Sequence, residues 1–407
     1  MSLFDKVVYH PDTTLVDIGP GLLWDPGVYD QLVPKYHRNV VGATSCPGVG
    51  VAGFNLGGGY GNKANQFGLA IDTIKAIEVV LPDGEVRTVS ETSGGDIFWA
   101  LKGGGNNFGI VTKWTMETHP QGDIWFLALN YDQQYFDQVQ AAIWAYIQKQ
   151  VPKSNVETRF EWTPANGNEF KVAAVCHAEL FYDGPGPPED LFKEFLEIPV
   201  IVQQKAENGT WKEMMECLPN LRQTYRMGWG SNGTDQPVND LPDSFRGRYT
   251  CVMLSRYTPA FMKWVVELAE EVSKALKSHG GLQFYHNIWP LSPTMFENSP
   301  PSAWPHGPDT AFFPLPIRCL WQGKEDDKYW LDTLAAVTEK VRRYAIEQGC
   351  TTDGAPVYYN LALDGTDVSL IYRENLPRLV DIRARYDRLG VMNRTGGFRI
   401  PLEQPLL

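Results

Sequence analysis

The chain has 407 residues, of which 43% are apolar, 12% aromatic and 21% charged. That is an ordinary globular composition with material for a large core and two domains, and it excludes a disordered chain. A net charge of −12 argues against nucleic acid and anionic membranes as partners. No apolar run reaches the roughly 18 residues that a membrane span needs.

Six cysteines (Cys46, Cys176, Cys217, Cys251, Cys319 and Cys350) lie scattered without CxxC spacing, so no metal site or redox pair is expected. The opening MSLFDKVVYHPD carries no long apolar segment of a signal peptide. N-x-S/T triplets start at Asn208, Asn232 and Asn393, a pattern that also arises by chance. The sequence assigns neither a compartment nor an oligomeric state.

Residues 6–18, KVVYHPDTTLVDI, predict two short strands around a turn at Pro11-Asp12, and 25–33 a short helix. After a glycine-rich stretch, 74–90 predicts a hairpin joined at Pro82-Asp83-Gly84. Residues 94–120 predict a short helix at Ile97–Leu101, a second glycine loop and a strand at Ile110–Thr118. Beyond about residue 122 the character changes. A helix is predicted over 136–151, and strands over 156–162 and 170–184 with partial alternation. Thr258-Pro259 sets an N-cap and N1 for a long helix through Lys277, with Gly280 past its end. Strands at 282–289 and 312–323 follow, then a helix over 326–349 that stops at Gly349. The fold class is α+β in two domains, with an antiparallel sheet backed by helices in the second. Residues 1–121 form the first domain, 122–384 the second, and 385–407 return to the first. Within the second, His286 reads as a satisfied wall residue, and Glu267, Glu270 and Glu271 as a solvated helix face. Trp99 reads as core.

The stretch Gly42 to Gly61, GATSCPGVGVAGFNLGGGYG, is the most informative in the chain. It contains GxGxxG at Gly48, Gly50 and Gly53, but a dinucleotide site needs a strand before and a long helix after. Here Gly57, Gly58, Gly59 and Gly61 follow at once and the flanks are hairpins, which argues against a nicotinamide site. Bare backbone still lets N–H groups approach a phosphate or ring edge, and a tight loop crossing a sheet is the competing explanation.

The order Cys46-Pro-Gly-Val-Gly50-Val-Ala-Gly53, Gly57-Gly-Gly-Tyr-Gly61, Phe67-Gly68-Leu69, Asp72, Leu81-Pro-Asp-Gly84, Asp96 to Gly103, and Asn107-Phe-Gly109-Ile-Val-Thr112 resembles the PCMH-type FAD-binding domain of FAD-linked oxidases of the vanillyl-alcohol-oxidase type. The branch it resembles is the berberine-bridge-enzyme-like one. Val357-Tyr-Tyr-Asn360, Tyr372 to Leu379, Arg385-Tyr-Asp387 and Val391 to Gly397 resemble that family's closing segments. The likeness covers the first 120 and last 50 residues.

The resemblance implies an FAD-dependent oxidase that moves hydride from an alcohol, sugar or secondary metabolite to flavin N5, with oxygen as acceptor. It implies flavin contacts from Cys46, Pro47, Gly48, Val49, Gly50, Gly53, Asn55, Gly58 and Gly59, with covalent attachment through Cys46. An inert buried thiol is the alternative for that cysteine. Ile110 and Val111 would serve the adenine end. Two departures stand out. The family's flavin-attaching histidine loop, and the N-terminal lobe that holds it, have no counterpart here, so a non-catalytic or FAD-deficient homologue is the competing function. Leu361 stands where the family often has a tyrosine base, and leucine accepts no proton. Tyr358, Tyr359 and Tyr372, with Asn360, are the remaining catalytic candidates. The expected partner is a small-molecule substrate.

Overall fold

The computed structural model describes residues 2–43, 48–165, 172–216, 245–308 and 312–402. Two antiparallel sheets organise them. The first has five strands: β1 (Val7–His10), β2 (Leu15–Ile18), β4 (Ile74–Val80), β5 (Val86–Ser90) and β6 (Ile110–Glu117), in the order β1-β2-β6-β4-β5. A two-stranded pair, β3 (Arg38–Asn39) with β7 (His119–Pro120), lies beside it. Around this sheet pack α1 (Val28–Tyr36), α2 (Val51–Leu56) and α3 (Gly95–Leu101). The hairpin expected at 74–90 is β4 and β5, in register from Ala76 opposite Ser90 to Val80 opposite Val86.

The second sheet has seven strands. They are β8 (Ile124–Asp132), β9 (Ser154–Pro164), β10 (Val172–Tyr182), β11 (Val202–Gly209), β12 (Arg246–Leu254), β13 (Gly281–Ile288) and β14 (Phe313–Trp321), in the order β11-β8-β10-β9-β13-β14-β12. The helices α4 (Phe136–Ile147), α5 (Pro259–Ser273) and α6 (Asp327–Glu347) back it. The Thr258 hydroxyl accepts from the Phe261 amide, so α5 starts where the Thr-Pro pair predicts. Its buried residues Phe261, Met262, Val265, Val266, Leu268 and Ala269 recur at helical spacing and meet the sheet.

Alternation along β9 separates two environments. Val156, Phe160 and Trp162 are fully buried on the helix side. His286 belongs to that side too, stacked on Phe160 with centroids 5.2 Å apart. The other face of β9 carries Asn155, Glu157, Arg159 and Glu161, all less than a tenth exposed. A sheet face this polar and this buried faces another part of the protein rather than water.

That other part is the segment that follows the glycine stretch. Asn155 donates to Asn62 Oδ1 at 2.9 Å, and Asn65 to the Ser154 carbonyl at 2.9 Å. Buried Lys63 forms an ion pair with Asp183, which also accepts from Gln66 and Gln121. Burial lowers the Lys63 pKa, and Asp183 works against that shift. His306 is held between Asp72 and the Trp304 carbonyl at 2.8 and 2.9 Å. The closing stretch then returns to the first sheet. Trp304 Nε1 donates to the Val357 carbonyl, Tyr386 to Asp96, and Asn107 to the Phe398 carbonyl. Helix α7 (Leu376–Tyr386) packs on α3, and Arg378 lies 3.9 Å from the ring of buried Trp99.

Candidate active site

The glycine stretch divides into two halves with different jobs. A Cβ built at Gly48, Gly50 or Gly53 meets nothing within 4 Å. Those three positions present bare backbone to open space, and Gly48 sits at φ +87, where a side chain is strained. The later glycines are packed. A Cβ at Gly57 would strike the Asn360 amide, and one at Gly59 would lie 2.6 Å from Phe54 and 2.7 Å from Ala70. So the second half lets the closing stretch of the chain approach, and the first half is left facing a cavity.

That cavity has a volume of about 370 Å³ and lies between the glycine stretch beside the first sheet and the polar face of the second sheet. Val49, Gly50, Gly53 and Phe54 line one side. Asn155, Glu157, Tyr249, Tyr285 and Asn287 line the other, from the polar face of the second sheet. Tyr60, Trp289, Tyr358, Asn360 and Leu361 close the ends.

Tyr358 is the most constrained of these side chains. Its hydroxyl oxygen accepts from the Gly59 amide at 3.0 Å and from Asn360 Nδ2 at 3.0 Å. Asn360 is itself fixed by a bond to the Phe54 carbonyl at 3.1 Å. Tyr60 meets the Tyr358 ring edge-on at 4.9 Å. Burial pushes the Tyr358 phenol up to about 12, and the Gly59, Asn360 and Tyr60 donors pull it back from further.

Beneath the cavity the sheet holds a charged network. Glu161 pairs with Arg159 at 3.0 Å. Burial works against its ionisation, but Arg159 and His177 overcome this and hold it at about 2. The Tyr249 and Tyr285 hydroxyls bond at 2.7 Å, with the Arg318 guanidinium over both rings.

Of the sequence-predicted residues, Val49, Gly50, Gly53, Tyr358 and Asn360 meet at the cavity, and Gly48 adjoins it. Gly58 and Gly59 lie behind Tyr358. Asn55 is fully buried in α2, bonded to Met116 Sδ at 3.6 Å. Ile110 is exposed and Val111 buried at the start of β6, and neither lines the cavity. Tyr372 is fully buried elsewhere, and Tyr359 bonds Asn106 instead. Cys46 and Pro47 lie outside the described residues. The residues that sequence reading missed are Tyr60, Asn155, Glu157, Tyr249, Tyr285, Asn287 and Trp289. The partial polar–apolar alternation at 155–162, broken at Thr158, was a signal for Asn155 and Glu157 alone.

Residues 1–90 match the sequence model of the FAD_binding_4 family, the FAD binding domain. An FAD-linked oxidoreductase of Arthroderma benhamiae, itself uncharacterised, is 32% identical over 234 residues, which is 57% of this chain and 45% of that protein. The chain is thus similar to FAD-linked oxidoreductases over part of its length. Its match to that relative spans under half of the relative's length. Two solved structures show the same fold. One is the xylooligosaccharide oxidase of Myceliophthora thermophila in complex with xylobiose, with TM-score 0.69, 22% identity, and coverage of 98% of this chain and 80% of that one. The other is the carbohydrate oxidase of Microdochium nivale in complex with a substrate analogue, with TM-score 0.71, 20% identity, and coverage of 99% and 82%. The chain therefore has the PCMH-type fold that these two oxidases share. FAD is its cofactor, and the bare strip at Gly48, Gly50 and Gly53 fits a flat ring laid against backbone.

Proposed function

We propose that the chain is a berberine-bridge-like oxidase. It oxidises a hydroxyl-bearing small molecule (an alcohol, a sugar or a secondary metabolite) and uses oxygen as electron acceptor, with hydrogen peroxide as product. One observation carries this reading. A tyrosine whose hydroxyl accepts from the Gly59 amide and Asn360 Nδ2 stands in a cavity whose other wall is bare glycine backbone.

FAD supplies hydride acceptance at N5 when bound. The chain's residues do the rest. Val49, Gly50 and Gly53, with Gly48, would hold the flavin against bare backbone, and Cys46 and Pro47 are further proposed contacts. Cys46 is the proposed thioether anchor. Asn55, Gly58 and Gly59 back that strip, and Ile110 and Val111 are the proposed adenine contacts. Tyr358 acts as base in its phenolate form, which the Gly59 and Asn360 donors stabilise; its oxygen takes the proton of the substrate hydroxyl and becomes the neutral phenol. Asn360 positions Tyr358. Leu361, also at the cavity, contributes shape only. Tyr372, catalytic in the sequence reading, is left without a part in this scheme because its hydroxyl is buried away from the cavity. A sugar is supported among the substrates by the xylobiose complex of the xylooligosaccharide oxidase.

The test is a peroxide-release screen of sugars and alcohols with purified protein, alongside its visible spectrum. Yellow colour that stays with the acid-precipitated pellet, and is lost in Cys46→Ala, supports the anchor. A colourless protein that takes up no added FAD and releases no peroxide sinks the oxidase reading and returns the chain to the non-catalytic alternative.

A further inference from the structure

A second cavity, of about 500 Å³, lies at the outer edge of the seven-stranded sheet, between β12, α6 and residues 351–373. No described residue lines both cavities. The space exists because β12 is the last strand of its sheet and the chain beside it does not extend that sheet. Thr351 Oγ1 donates to the Met253 carbonyl, but among the described residues no backbone bond joins 351–373 to β12. Val252, Pro356, Val357, Leu363 and Leu370 give the gap an apolar wall.

Four charged side chains face this gap: Glu339, Arg342, Asp353 and Arg373. Arg342 pairs with Glu339 at 2.9 Å and with Asp353 at 2.6 Å, and Arg343 adds a second bond to Glu339. Both carboxylates are therefore taken. Arg373 forms no ion pair among the described residues, and its Nε and Nη2 both donate to the Ala355 carbonyl. Burial, then the neighbouring Arg342, lowers its pKa, and Glu374 and Asp353 offset this only in part. Its backbone sits at φ +48 and ψ −128, where a Cβ strains the chain and glycine would not. Strain of this kind gathers at ligand sites.

The geometry points to a second ligand site here, one that takes a small amphiphilic monocarboxylate. Its carboxylate pairs with Arg373, and its apolar body lies on Val252, Val357, Leu363 and Leu370. A neutral analogue leaves Arg373 without a counter-charge. An acid with several carboxylates brings its further charges against Glu339 and Asp353. The site is independent of the oxidase reading, because it needs neither flavin nor turnover.

The experiment titrates benzoate, benzamide and citrate into the purified full chain, by calorimetry and by saturation-transfer NMR of the probe. Benzoate is expected to bind about tenfold or more tightly than either of the others. Arg373→Gly removes the guanidinium and the backbone strain together. It should weaken benzoate about tenfold while the melting temperature stays level or rises. Should that variant fail to fold, Ala335→Phe fills the gap from the α6 side with Arg373 intact, and should weaken benzoate as much. Trp289→Ala, in the first cavity, should leave benzoate binding unchanged. Equal affinity for benzoate and benzamide, benzoate binding that survives Arg373→Gly or Ala335→Phe, or binding lost in Trp289→Ala overturns the inference. So does a wild type that binds no benzoate.

Discussion

The Tyr358 hydroxyl accepts a hydrogen bond from the Gly59 amide at 3.0 Å, across 299 residues of sequence. One bond thus ties the closing segment to the glycine stretch and sets a phenol beside the bare strip. Its consequence is kinetic. Tyr358→Phe removes the hydroxyl and, with it, the acceptor of the buried Gly59 amide. Loss of a positioned general base costs about a hundredfold to ten-thousandfold in rate. The expected outcome is anaerobic flavin reduction slowed by at least a hundredfold, with FAD content near wild type and a melting temperature lowered by the loss of the two hydrogen bonds. A variant that still reduces its flavin within tenfold of the wild-type rate rules Tyr358 out as base.

Gly53 and Gly57 are the same residue type in one short run, yet alanine is expected to act oppositely at the two. At Gly53 a methyl meets nothing in the protein and lies inside α2, where alanine outranks glycine by about 1 kcal/mol. Gly53→Ala should leave the apoprotein as stable or slightly more so, and weaken FAD uptake. At Gly57 a methyl strikes the Asn360 amide, so Gly57→Ala should lower stability even without cofactor. Paired thermal melts and FAD titrations read both effects. Equal FAD affinity in Gly53→Ala and wild type would dissociate the strip from the cofactor.

Those two glycines also mark the limit of what local sequence reveals. Motif order placed the cofactor stretch and the closing segment, and Thr258-Pro259 placed a helix start that the structure repeats. Composition does not separate open glycines from packed ones, because what separates them is Asn360 and Tyr358, some 300 residues away. The polar side of β9 reads like any solvent face, for burial between two domains leaves no mark on a seven-residue window. Tyr358 and Tyr372 are alike in sequence. Only the fold shows that one faces the cavity while the other is buried in packing.

The ion pair of Lys63 with Asp183 joins the end of the glycine stretch to the end of β10. Lys63 is 1% exposed, so Lys63→Met leaves a carboxylate with only the Gln66 and Gln121 donors. Breaking one side of a buried pair costs about 3–5 kcal/mol. A urea midpoint lowered to that extent is expected. The double variant Lys63→Met, Asp183→Leu should recover part of it, since no lone charge remains. A loss under about 1 kcal/mol in the single variant would show that water reaches the pair.

His286 gives the fold a pH dependence that can be read apart from catalysis. Both ring nitrogens lack partners, and burial pushes the imidazole down to about 3 from 6.5. A histidine kept neutral in the fold but free to protonate when unfolded contributes stability that is complete above about pH 6.5. That contribution is lost as the pH falls through this window toward 3, with a slope near 1.4 kcal/mol per pH unit for one proton. His286→Phe keeps a ring against Phe160 and has no proton to gain. The difference in unfolding free energy between variant and wild type should therefore grow as the pH falls from 6.5 to 4, in favour of the variant. Urea titrations at half-unit pH steps measure it. Parallel curves for the two proteins over that range would mean that the ring already finds a proton, or a partner, inside the folded sheet.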